Sequence, residues 1–72
     1  MEAAELRNRF KYHKPGSEKI AKDHETVRDL CWGLAKVVST ITGDCREKSI
    51  AITKIEEAMM WANAAIARHQ DV

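Results

Sequence analysis

The chain has 72 residues, which is room for one domain and too little apolar side chain to bury a large core unaided. Its 12 Lys and Arg against 11 Asp and Glu leave a formal net charge of +1, which argues against a strongly basic duplex-DNA binder. Cys31 and Cys45 form no CxxC pair, so a zinc site is not expected and the thiols are read as reduced in a cytoplasmic protein. Met1 to Glu5 is acidic and short, unlike a signal peptide, and no apolar run approaches the roughly 20 residues of a membrane span.

The composition and patterning point to an all-α chain. Ala3, Leu6 and Phe10 share one face at helical spacing, which predicts a short helix from Glu2 to about Phe10. Such a helix is too short to stand alone and must dock on something. Tyr12 to Gly16 is expected to be irregular, because Pro15 pushes Lys14 out of helical geometry. Residues 1–16 thus read as a short helix followed by a basic, aromatic loop.

Ser17 is the expected N-cap of a long helix, spanning residues 17–42 with its cap. Ile20, Val27, Leu34 and Ile41 recur every seven residues, and Leu30 and Val38 fall near the companion positions of a coiled-coil-like seam. Gly33 inside this helix is read as a point of close helix approach. Gly43 is the expected C-terminal stop. Asp44 with Glu47 three residues on resembles a capping box for the last helix, within residues 44–70.

That last helix is expected from about Cys45 to His69. Its seam is Ile52, Ile55, Met59, Ala62 and Ile66. A second stripe, Ala51, Ala58 and Ala65, is all small. A third is Lys54, Trp61 and Arg68, which puts Trp61 off the seam on the face of a terminal arginine. Two antiparallel helices have one inner seam, yet Trp32, Met60, Trp61 and the alanine stripe lie partly outside it. Surplus apolar surface of this kind predicts a homo-oligomer of helical hairpins within one domain, residues 1–72.

No catalytic constellation is visible: there is no phosphate-binding Gly-rich loop, no HExxH and no GxSxG. His13, His24 and His69 read as exposed polar residues, and Glu56 and Glu57 as helix ion-pair partners of Arg46, Lys48 or Lys54. No cofactor and no metal are implied. The distinctive stretch is Arg7 to Lys22, where six cations face one acid, Glu18, with Phe10 and Tyr12 among them. Cations interleaved with flat rings suit an anion carrying a stackable base. The plain alternative is a solvated arm with one docked Phe.

Three segments, RNRFKYHKP, HETVRDL and CREKSIAITKIEEAMMWANAAIAR, together span most of the chain. They resemble the phage family of anti-CBASS cyclic-oligonucleotide sponges, whose hairpin domain is shared with an anti-Thoeris sponge. Cys31 to Ile41 matches only in its hydrophobic pattern. The resemblance implies a compact homohexamer that binds cyclic dinucleotides, in some members also cyclic trinucleotides at separate sites, and does not cleave them. It implies that Tyr12 stacks on a base of the dinucleotide and that Arg68 meets phosphate or base. A basic residue of the second helix completes that pocket, and here Arg28 or Lys22 fits the role. The trinucleotide site is implied where N-terminal segments meet, with Arg7, Arg9, Lys11 and His13 as candidates. Membrane and DNA partners are not expected. A nucleic-acid-binding hairpin and a purely structural oligomerisation module remain as alternative classes, and a messenger hydrolase as a weaker third.

Overall fold

In a computed structural model, which describes residues 1–70, the chain forms three helices. Helix α1 spans Ala3–Phe10, α2 spans Glu18–Ile41 and α3 spans Arg46–Arg68. Helices α2 and α3 form an antiparallel hairpin, and α1 lies beside the C-terminal end of α3. The last two residues lie outside the described part, so the end of the 1–72 domain reading does too.

The start of α2 follows directly from local chemistry. Ser17 is extended, and its hydroxyl oxygen accepts a hydrogen bond from the Ile20 N–H at 3.2 Å. Lys19 and Asp23 then pair at 2.8 Å along the exposed first turns.

Helix α2 ends at the expected Thr42–Gly43 stop, but the capping on both sides of the turn differs from the sequence expectation. Gly43 does not adopt positive φ. The chain leaves α2 through an extended Thr42, whose N–H and hydroxyl both donate to the Val38 carbonyl, at 3.2 and 2.7 Å. That carbonyl is satisfied, so no left-handed residue is needed to reach it. Asp44 does not cap α3 either. It lies one residue too early, and its carboxylate instead reaches Lys48 Nζ at 3.5 Å. The N-cap is Cys45, whose thiol makes no capping bond.

The heptad reading of α2 holds for only half the helix. Ile20 and Val27 are half-buried, but Leu30, Leu34 and Ile41 are 70%, 53% and 75% exposed. An α-helix drifts by about 20° per heptad against a strict seven-residue repeat. The real seam therefore passes from Val27 to Cys31, Ala35 and Val38, all half-buried. Leu30, Leu34, Val37 and Ile41 are left as a separate outward stripe. Gly33 belongs to that stripe, and nothing lies within 4 Å of where its Cβ would stand. The expected close approach at Gly33 is thus absent within the chain.

On α3 the expected seam is the observed one: Ile52, Ile55, Met59, Ala62 and Ile66 are all half-buried. One polar contact crosses it, between His24 Nδ1 and Asn63 Oδ1 at 2.9 Å. His24 is therefore a half-buried member of the hairpin, and only His69 of the three histidines is exposed. Of the anticipated ion pairs on α3, Lys54–Glu57 forms at 3.7 Å.

No described residue is fully buried. The accessible surface is 5899 Å², whereas a folded monomer of this mass exposes roughly 4,500 Å². The Cα radius of gyration, 15.3 Å, exceeds the roughly 11 Å of a compact chain of this length. Much of the apolar surface has no partner inside the chain. The caps separate cleanly by substitution. Ser17→Ala should lower stability by about 0.5–2 kcal/mol, while Asp44→Ala should leave the urea midpoint unmoved at the same protein concentration.

Candidate functional site

The site is assembled where the N-terminal arm meets the end of α3. Helix α1 is not held by its apolar face, for Leu6 is 51% and Phe10 is 83% exposed. The plain alternative of an arm with a docked Phe10 does not hold within the described residues. Polar groups tie the arm down instead. Asn8 Nδ2 donates to the Arg68 carbonyl at 3.3 Å, and Arg68 Nη2 donates to the Arg9 carbonyl at 3.2 Å.

Gln70 holds the loop after α1. Its Nε2 donates to the Lys14 carbonyl at 3.0 Å and to the Ala67 carbonyl at 3.1 Å. Its Oε1 accepts from the Gly16 N–H at 2.6 Å. A Cβ on Gly16 would stand 3.2 Å from that oxygen, so the small residue lets the amide come close. His13 folds back and donates from Nε2 to the Asn8 carbonyl at 2.8 Å, since a carbonyl can only accept. Pro15 and Gly16 therefore turn a chain that is stapled on both sides of them.

Between α1 and α3 this leaves an open groove of about 430 Å³. Arg9 and Arg68 supply its cations, Phe10 and Trp61 its rings, and Glu5, Asn8 and His69 complete the lining. Arg9 is held by Glu5, one turn back, at 2.9 Å. Arg68 has no carboxylate partner among the described residues. Both arginines stand in the last turns of their helices, where they also offset the negative ends of two helix dipoles. Each guanidinium has five N–H donors, so both retain donors for a ligand.

The structure brings together only some of the residues singled out from sequence. Arg9 and Arg68 share the groove. His13 is half-buried and braces the arm through Asn8. Tyr12 projects just past α1 and is 84% exposed. Arg7 and Lys11 are exposed and do not line the groove, although the Lys11 N–H closes α1 on the Arg7 carbonyl at 2.9 Å. Arg28 lines a different, mainly apolar groove of about 280 Å³, with Trp32, Glu56 and Met59. Ile55 and Met59 there lie nine or more residues from Arg68, which is about 14 Å or more along a helix. Lys22 stands nearer along the helix axis, although on the exposed side of α2. It falls between Ile20, which shares a hollow with Ile66, and His24, which bonds Asn63.

Trp61, Asn8 and Gln70 were not legible as site residues. For Trp61 the signal was its seven-residue spacing to Arg68; for Asn8 and Gln70 there was none. Among the described residues no three His, Cys, Asp or Glu cluster as metal ligands, and no helix is long and apolar enough to cross a membrane. The thiols of Cys31, half-buried, and Cys45, exposed, are both free.

Compared with known proteins, the chain matches the family model described as Acb2/Tad1, hairpin domain, over residues 2–67. No curated protein and no solved structure matches. The matched span takes in the arm and nearly the whole hairpin. It ends one residue before Arg68, so the clamp made by Arg68 and Gln70 lies just beyond it.

The clamp has a direct test. Gln70→Ala removes the acceptor of the Gly16 N–H, so exchange of that amide should accelerate while the helical circular dichroism is retained. Unchanged Gly16 exchange by NMR would mean that Gln70 does not hold the loop.

Proposed function

The chain belongs to the family of phage anti-CBASS and anti-Thoeris sponges that share the Acb2/Tad1 hairpin domain, and on that premise we propose that it sequesters cyclic oligonucleotide messengers without cleaving them. The ligands are cyclic dinucleotides and, at a second site, cyclic trinucleotides. The whole chain acts as one hairpin domain in the cytoplasm of the infected bacterium. Holding the messenger keeps it from the effectors of the host's immune system.

The observation that carries this reading is the groove in which Arg9 and Arg68 stand beside Phe10 and Trp61. A cyclic oligonucleotide presents phosphates and flat bases close together. Guanidinium groups bind phosphate in a bidentate, charge-assisted manner. Exposed rings stack on bases, at about 1–3 kcal/mol each. No nucleophile with an adjacent base is in the groove, which supports holding rather than turnover. A net charge of +1 favours a small ligand over a long polyanion.

We further propose that the binding form is a homohexamer. The outward stripe of Leu30, Leu34, Val37 and Ile41 supports this, as does an exposed surface roughly 1,400 Å² above that of a compact monomer. A standard interface buries about 800 Å² per partner. Gly33, with open space beside it on the same stripe, admits close approach of a second helix. Assembly would bring a neighbour's groove or helix face up to Tyr12, which no element of its own protomer covers. Of the two candidates for the basic residue on α2, Lys22 lies at the Arg68 end of the hairpin and is favoured over Arg28. Arg7, Lys11 and His13 remain with Arg9 as the proposed trinucleotide set, His13 by positioning the arm.

Incubation with a cyclic dinucleotide, heat release and chromatography should return the ligand intact; linear product would identify a hydrolase instead. Calorimetry should show Tyr12→Ala weakening binding by about 1–3 kcal/mol and Arg68→Ala abolishing it. Lys22→Ala should cost more affinity than Arg28→Ala. Leu34→Glu should shift sedimentation at micromolar concentration to a smaller species. A folded 8.2 kDa monomer of the unmodified chain under the same conditions would remove the oligomer from the reading.

A further inference from the structure

We propose that Trp61 is a base-stacking residue of the groove, with the purine of the cyclic oligonucleotide laid against its indole face and the adjoining phosphate on Arg68. This rests on the sponge reading above and assigns it a residue that the sequence left as surplus apolar surface.

Trp61 is 69% exposed although it is one of the largest apolar side chains in the protein. Two fates can explain an exposed Trp: burial by another copy of the chain, or contact with a ligand. The surroundings distinguish them. The surface suited to another copy is the α2 stripe, where Leu30, Leu34, Val37 and Ile41 adjoin one another. Trp61 faces away from the hairpin seam on a charged side of α3. Lys54 and Arg68 are seven residues away on either side, and Glu57, one turn back, is paired to Lys54 at 3.7 Å. Covering that side with an apolar partner would strip water from these charges at a cost. A ligand with its own charge and a flat face would not incur it in the same way.

The groove gives the indole neighbours of the right kind. Arg68, on the same face, reaches across to the Arg9 carbonyl, so its guanidinium is fixed over the groove and not waving in solvent. Arg9 is fixed by Glu5. Phe10, 83% exposed, offers a second ring in the same lining. Indole has the largest π-face among side chains, and stacking on it tolerates any base. The other tryptophan is differently placed: Lys36 Nζ lies 5.4 Å from the Trp32 ring centre, in the apolar region near Arg28.

Trp61 reports on itself. In a Trp32→Phe background it is the single tryptophan, and its emission can be followed while cyclic di-AMP and cyclic tri-AMP are titrated, with calorimetry and sedimentation on the same samples. Stacking predicts quenching that saturates at the calorimetric stoichiometry for at least one ligand, with no change in sedimentation and no response to inorganic phosphate alone. In the wild-type background, Trp61→Leu should lose about 5- to 150-fold in affinity, and Trp61→Phe should recover most of it. Calorimetric binding of both ligands with unmoved Trp61 emission overturns the assignment and leaves the sponge reading intact. Emission that follows protein dilution but not ligand also overturns it, since Trp61 is then buried between copies. If neither ligand binds, the sponge reading fails and the assignment with it.

Discussion

Two helices side by side share a single line of contact. Here that line is Ile20, Val27, Cys31, Ala35 and Val38 against Ile52, Ile55, Met59 and Ile66, and none of these is fully buried. A line is not a core. It fixes the register of the hairpin but leaves the outer sides of both helices facing water. The rest of the structure follows from that shortage. The outward α2 stripe stands exposed, α1 has no apolar bed to lie on, and the N-terminal arm is held by polar groups.

That arm is where the shortage becomes useful. A helix docked by its apolar face would hide Phe10 and close the space beside Trp61. Because α1 is tied instead through Asn8, Arg9 and Arg68, a groove persists between it and α3. The bond to the Arg9 carbonyl fixes the Arg68 guanidinium and Glu5 fixes that of Arg9, which in the sponge reading lowers the ordering cost of binding. Gln70 does the equivalent for the loop, gripping it on both sides of Pro15. The tethers are three side chains from the chain's two ends, those of Asn8, Arg68 and Gln70.

What was legible in the sequence divides by the range of the interaction. Ser17 was readable as a cap because the bond it makes spans three residues and depends on local chemistry alone. The α3 seam was readable because its three-and-four spacing matches the real helical period. The α2 seam was half misread, since exact heptads mimic a coiled coil that a straight helix follows for only a turn or two. The turn was placed correctly but its caps were misread, because Thr42 serves the Val38 carbonyl with two donors and the N-cap of α3 falls on Cys45, one residue after Asp44. The groove was the least legible part. Its defining bonds join residues about 54 to 60 positions apart, and such contacts leave no periodic trace. The run of cations and rings pointed to Tyr12 and the seven-residue stripe to Arg68, but only the family resemblance implied a shared pocket role for them.

Both arginines of the groove sit at helix C-termini, which is electrostatically unusual for an anion site. Phosphate sites more often use helix N-termini, where the backbone itself is positive. Here the helix ends oppose the anion, so part of each guanidinium charge only cancels the local dipole. Glu5 on Arg9 subtracts further. Phosphate attraction alone is therefore not enough to carry the affinity in the sponge reading. The remainder has to come from rings against bases and from water excluded by neighbouring subunits. Such a site would discriminate in the way a sponge needs. Inorganic phosphate and nucleic-acid backbones offer charge alone and would gain little, whereas a small cyclic ligand offers stacked bases and phosphates in one rigid body.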